Sequence, residues 1–382
     1  MFKINFKTMV GASLAVCLLA GLLLAPGCAG GEGIRPKLLF NLPDECNTPD
    51  GMTCNEKTGD IYLCCPNFKL RDGAPDKAQK YPSVIMKIDK DNKITKFCDL
   101  PKHPLTKQVG PMGLDIGPDG NLYVADNQYF WSKDYASRVL RVNIKADGTA
   151  GKVDVVVEGT KLSNAVICRG NFVYVSDTFF DVPGKKGISG IWRFSMDELK
   201  TGAPVKVDPK AFDPHNIGKT DPHIIATFQT FANHRGDTAG ADGLTFDKDG
   251  NLYCGNFGDG VISKITFDAE GNVATNTILI ADPKMPSADG MFYDAKRDMI
   301  YIADSERNAV RAFSTDGKIL KTIWENGADA DGSDGRLDQP CEVLVRGDTL
   351  FAVCFDIPFP GLMNQNMDKF HTISIIELPK KK

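Results

Sequence analysis

The stretch Ala241-Asp242-Gly243-Leu244-Thr245-Phe246-Asp247-Lys248-Asp249-Gly250-Asn251-Leu252-Tyr253 decides the fold. It runs from an acid and a glycine through an apolar run, an Asp-Gly turn and a second apolar run that ends on an aromatic. Asp-Gly between apolar alternations is a strong hairpin signal. The unit recurs along the chain. Asp50-Gly51-Met52 leads to Tyr62, Met112-Gly113-Leu114 to Tyr123 and Asn164-Ala165-Val166 to Tyr174. Asp289-Gly290-Met291 leads to Tyr301, and Cys341-Glu342-Val343 to Phe351. From first residue to aromatic the steps are 12, 11, 10, 11, 12 and 10 residues in chain order. Such self-similarity marks a repeat architecture.

Successive copies start 62, 52, 78, 47 and 52 residues apart. Four short strands need roughly 40–50 residues. Third strands are legible at 138–142, 190–194, 261–265 and 309–313, and a fourth at 322–324. Six four-stranded antiparallel blades give an all-β, six-bladed β-propeller around a central channel, spanning 34–382. Segments 37–40 and 372–376 are the expected closure of the ring. Inner strands line the channel, so their first residues form a ring: Asp50, Met112, Asn164, Asp242, Asp289 and Cys341. The blander alternative is that Asp-Gly opens each strand for turn reasons alone. Asp126, Asp177, Asn256 and Asp304, at the ends of second strands, are expected to bond the backbone of the next blade. Residues 181–240, which carry His215, His223 and His234, read as a solvated insertion; placement over the channel is the alternative. A short helix is expected at 196–200.

The 382 residues carry 45 basic and 49 acidic side chains, for a net charge of −4. That balance lacks the clustered basic surface that nucleic acid requires. Hydrophobic and charged shares of 42% and 25% are those of a globular chain. No nucleophile elbow, zinc-protease helix, P-loop or dinucleotide fingerprint is present.

Lys3 and Lys7, an uncharged apolar stretch over 9–25 and small residues before Cys28 read as an export signal over 1–27. The segment resembles a bacterial lipoprotein signal, with Cys28 as the lipid attachment and 28–33 as a flexible tether. A plain secretory signal and an uncleaved anchor are the alternatives. By the same resemblance the protein is expected in the cell envelope. It would be lipid-anchored, and Ala29 favours the periplasmic side of the outer membrane over the inner membrane. Nine cysteines follow the signal region. That odd number leaves room for one or two disulfides and assigns no pairs.

At the ring residues the chain resembles the senescence-marker-protein/gluconolactonase family, relatives of diisopropyl-fluorophosphatase-like hydrolases. Pro49-Asp50-Gly51-Met52, Ser163-Asn164-Ala165, Ala241-Asp242-Gly243-Leu244 and Ala288-Asp289-Gly290-Met291 carry the resemblance over roughly 35–378. The resemblance implies a calcium ion, or another divalent cation, in the channel. Asp50, Asn164 and Asp242 would stand in for the family's Glu, Asn and Asp ligands, with Asp289 nearby as a fourth. It implies metal-dependent opening of a lactone or ester, with Asp242 or Asp289 as catalytic base. Calcium's preference for several oxygen ligands suits that set, and a cation would relieve the repulsion among three acids. Met112 replaces a substrate-contacting Asn of the family, Asp50 is shorter than Glu, and Cys341 adds a non-oxygen group. Met112 and Cys341 are therefore expected to shape the substrate site. The expected partner is a small-molecule substrate and the expected state a monomer. The alternative is an NHL-like propeller without catalysis that binds a ligand or protein at the envelope.

Overall fold

The computed structural model describes residues 32–71, 74–76, 81–208, 221–231, 235–357, 359, 361–366 and 370–380. Cys28, His215, His234 and the whole expected signal lie outside the described residues. Among the described residues no helix is long and apolar enough to cross a membrane.

Six antiparallel sheets carry the repeat. Blade 1 is built from Met52–Cys54, Ile61–Cys65, Val84–Ile88 and Ile94–Asp99, from the channel outward. Blades 2 to 5 follow in the same order, with inner strands Pro111–Ile116, Ser163–Arg169, Ala241–Phe246 and Met291–Asp294. Blade 6 takes Pro340–Arg346, Thr349–Cys354 and Thr372–Glu377 from one end of the chain and Lys37–Asn41 from the other. Lys37 faces Ile375 and Asn41 faces Thr372, so the ring closes where the sequence placed the closure. Glu32–Gly33, expected in the tether, pairs instead with Trp324 and Glu325 on the outer edge of blade 5. Val205–Lys206 adds a parallel edge to blade 2.

The core lies between blades rather than inside one layer. The second strand of blade 1, Ile61–Cys65, is buried at every position because each of its faces meets another blade. Ile61 and Leu63 pack with Phe351 and Val353 of blade 6, whereas Tyr62 packs with Leu122 and Leu140 of blade 2. The other interfaces repeat this, with Trp192 between blades 2 and 3 and Phe313 between blades 4 and 5. That two-sided burial explains why the second strands read as continuous apolar runs rather than alternations. Each fully buried Ile, Leu or Phe contributes about 1.5–3 kcal/mol. The Asp-Gly turns end in glycines at φ +78° (Gly120) and +87° (Gly250), which a side chain disfavours. Met196–Leu199 is the expected short helix, closed by a Ser195–Glu198 capping box.

Two expectations change. Much of 181–240 is blade 3 itself, since Lys185–Ser195 and Ile224–Gln229 are its third and fourth strands. The polar composition there reflects the long strand ends and connections. The strand-end acids bond their own blade, not the next. Asp126 accepts from Gly110 N (2.9 Å), and Asp177 from Lys161 N and Leu162 N (2.9 and 2.7 Å), just ahead of their own inner strands. Arg138 and Arg311 cover Asp126 and Asp304. All nine described cysteines are free thiols.

Candidate functional site

Asp50, Met112, Asn164, Asp242, Asp289 and Cys341 line one cavity of about 370 Å³ at one mouth of the channel. The residue after each explains how six strands can meet so closely. A Cβ on Gly243 would lie 2.1 Å from the Asp289 carbonyl oxygen. On Gly113 it would lie 2.6 Å from the Ala165 Cα, and on Gly51 2.6 Å from the Gly113 Cα. None of these three glycines has a positive φ. The Asp-Gly pair is therefore a device for close approach of neighbouring inner strands, not a turn. It leaves the acid before each glycine at the rim of a very narrow hub.

The acids interact. Asn164 Nδ2 donates to Asp242 Oδ2 at 2.7 Å, and Thr178 Oγ1 donates to the Ala241 carbonyl at 2.9 Å behind it. Asp289 accepts from Ser305 Oγ (2.9 Å) and from Gly290 N (3.0 Å). Asp242 and Asp289 are neighbours on the cavity lining, and each bears on the titration of the other. Burial pushes the Asp289 carboxyl up to about 7 against the lowering effect of Ser305. Burial, then the Asp289 and Asp50 charges, push Asp242 well above the carboxylate range. Burial and Asp289 do the same to Asp50. Desolvation disfavours each charge and the neighbouring acids add repulsion. The set offers only oxygen donors, the chemistry of a hard divalent cation. Among the described residues, no three Asp, Glu, His or Cys side chains are grouped closely enough to chelate one ion. The donor chemistry fits; a finished chelate is not preformed.

Met112 and Cys341 both face the cavity. The Cys341 thiol donates to backbone, with the Pro49 and Val353 carbonyls at 3.4 and 3.6 Å. His223 stands elsewhere: its ring bonds Asp221 Oδ1 (2.7 Å) and Glu198 Oε2 (3.1 Å), and those partners, Asp221 first, raise its pKa. The far end of 181–240 does reach the channel, because Arg235, Gly236, Asp237 and Ala239 line the cavity. The buried Arg235 side chain pairs with Glu306 (3.2 Å) and donates to the Phe257 carbonyl (2.7 Å).

Sequence reasoning passed over two features. Glu342 occupies the place of the hub glycine in blade 6. A Cβ on Gly290 would meet its Oε1 at 2.3 Å, so this carboxyl fills space beneath the ring. Burial holds its pKa well above the usual range despite the Val343 N–H, and the Asp289 and Asp50 charges add to that. Its signal was legible as the one acid in a Gly/Ala column. The other feature is an aromatic wall, with Phe68, Phe130, Phe179, Phe257 and Phe355 among the lining residues.

No family model matches the chain, and no curated protein does. Solved structures match in fold. A luciferin-regenerating enzyme superposes with a TM-score of 0.54 at 13% identity, over 91% of this chain and 95% of that one. A gluconolactonase from Xanthomonas campestris gives 0.51 at 13%, over 93% and 99%. A PQQ-bound aldose sugar dehydrogenase from Streptomyces coelicolor gives 0.50 at 15%, over 91% and 98%. The first two carry the fold expected from the repeat columns. At these identities the likeness speaks for the six-bladed propeller alone, and the same fold hosts different chemistries.

Proposed function

We propose that the protein is an exported, divalent-cation-dependent hydrolase that opens a lactone or ester on the acidic floor of its channel. One observation carries this reading: six side chains from six blades converge on one cavity, and three of them are acids, Asp242 and Asp289 buried and Asp50 partly buried, without a paired cation on the ring. Such a floor is costly to fold and is the kind of local conflict expected at a functional site. Asp50, Asn164, Asp242 and Asp289 would hold the cation, with calcium favoured by the all-oxygen donors. When bound, the cation supplies Lewis-acid polarisation of the ester carbonyl.

The chain's own groups supply the rest. Asp289, fixed by Ser305 and Gly290 N–H, is aimed into the cavity and takes a proton from the attacking water. Asn164 orients Asp242 through its 2.7 Å hydrogen bond. The proton that Asp289 takes from the water passes on to the departing alkoxide, and Asp242 stays ionised among the residues that would hold the cation. The apolar walls hold back bulk water, which strengthens these interactions. Anchoring at the envelope through Cys28 belongs to the same proposal and rests on the signal-like first 27 residues.

A second reading is a propeller that binds without turnover. It is favoured by Met112 and Cys341, which put no oxygen on the ring. Hydrolysis decides between them. With a lactone and aryl-ester panel in calcium, Asp242→Asn should lower kcat/KM by at least about a thousandfold. Its far-UV spectrum should be unchanged. Full activity in that variant would end the mechanism, and absence of turnover in the unsubstituted protein would favour the binding module.

A further inference from the structure

Five of the six blades place an aromatic near the outgoing end of the second strand. They are Phe68, Phe130, Phe179, Phe257 and Phe355, and all five line the cavity above the acidic ring. Their strands end at Cys65, Asp126, Asn256 and Cys354 in blades 1, 2, 4 and 6; Phe179 continues its own long strand in blade 3. The rings hold one another. Phe68 meets Phe130 edge-on at 5.0 Å, Tyr129 stacks on Phe179 at 4.9 Å, and Phe359 lies 6.2 Å from Phe257 and 5.9 Å from Phe355. Blade 5 is the exception. Its second strand ends at Asp304 and continues into Ser305 and Glu306, which bond Asp289 and Arg235 instead.

The result is an aromatic collar over a polar floor. The cavity, about 370 Å³, is the size of a small organic molecule. The lining also includes Thr48, Asn127, Tyr129, Thr178, Arg235 and Asp237. A polyhydroxylated ring would turn hydroxyls onto the phenyl faces, each one so placed at a cost on the order of tenfold in affinity. A neutral ring with an alkyl or aryl tail meets no such conflict.

We infer that the substrate is an apolar ester or lactone, with its carbonyl at the acidic floor and an alkyl or aryl tail in the aromatic collar, and not a sugar lactone. This rests on the hydrolase reading for the chemistry but not for the ligand class, and the two can be tested apart. Alkyl-substituted γ-lactams are non-hydrolysable probes of the neutral ring. Their dissociation constants can be measured calorimetrically on the intact protein in calcium, from methyl to hexyl tails. Affinity should rise about fourfold per methylene, the value for burying one CH₂, until the collar is filled. The lactam of gluconic acid should bind at least a hundredfold more weakly than the hexyl probe. Phe179→Ala should flatten the chain-length series, and Phe179→Leu should keep most of it, which separates lost packing from lost folding.

A chain-length effect below about 1.5-fold per methylene would overturn the inference. So would equal binding of the sugar lactam, or tighter binding of alkylammonium ions of the same length. Steep lactam binding without turnover of any ester would sink the hydrolase reading and leave the ligand class standing. Turnover of gluconolactone in preference to alkyl lactones would do the reverse.

Discussion

The channel has two mouths made by the same six strands, and they treat acids that are partly or wholly withdrawn from water in opposite ways. At the first, Asp50, Asp242 and Asp289 face one another, and Arg235, the cation lining that cavity, is committed to Glu306. At the second, a cavity of about 650 Å³ mixes Glu56 and Asp115 with Arg169, Lys248 and Arg346. Asp115 there is fully provided for, by Thr53 Oγ1 (2.8 Å), Ile116 N (2.8 Å) and Cys168 N (2.7 Å). Buried polar groups are ordinarily satisfied in this way. The lesson is that burial alone does not mark a functional acid. Burial beside other acids does, because only an outside cation or proton resolves it.

The largest expected effect follows from that contrast. Asp115→Asn should leave hydrolysis within about twofold, against the thousandfold loss expected for Asp242→Asn. Equal losses at both mouths would erase the distinction. Between the mouths, the hub glycines set how closely the strands approach. Gly243→Ala forces a Cβ against the Asp289 carbonyl and should cost about 1–3 kcal/mol in urea unfolding, with activity lost alongside. A neutral effect would mean that the hub has room to give. The smallest effect is a pH dependence at the second mouth. Burial raises Asp115 from 3.8 to about 6. The unfolded chain therefore releases this proton first, and stability falls as pH rises from about 4 to about 6. The slope is at most about 1.4 kcal/mol per pH unit. Comparing urea midpoints of the protein and Asp115→Asn across that window should show the slope reduced in the variant; an unchanged slope would place the titration elsewhere.

Much of this was legible in the sequence because the propeller repeats its backbone task six times. The Asp-Gly-apolar column marked the blades and the ring, and the need to close the ring pointed to segments 37–40 and 372–376, which fall within the observed strands Lys37–Asn41 and Thr372–Glu377. The ring residues were found because inner strands must begin at the channel. The collar was not found, because Phe179 lies inside its second strand while Phe68, Phe130, Phe257 and Phe355 sit at differing offsets past theirs, where no periodicity points to a common wall. Glu342 was visible as a break in the Gly/Ala column, yet its position beneath the acids follows only from the close approach of blades 5 and 6. The third strand of blade 3 was legible at 190–194, but its fourth strand, Ile224–Gln229, was read as part of an insertion because a long polar connection separates the two. The turn explanation for Asp-Gly failed for a physical reason: those glycines have ordinary φ and are small for their neighbours' sake.

The three facing acids and Asn164 form the proposed cation site. Calorimetric titration of calcium into chelator-treated protein tests it most directly. The account predicts one ion per chain, a thermal midpoint that rises with calcium concentration, and loss of both in Asp242→Asn. No heat of binding in the unsubstituted protein, or binding unchanged in Asp242→Asn, would contradict it.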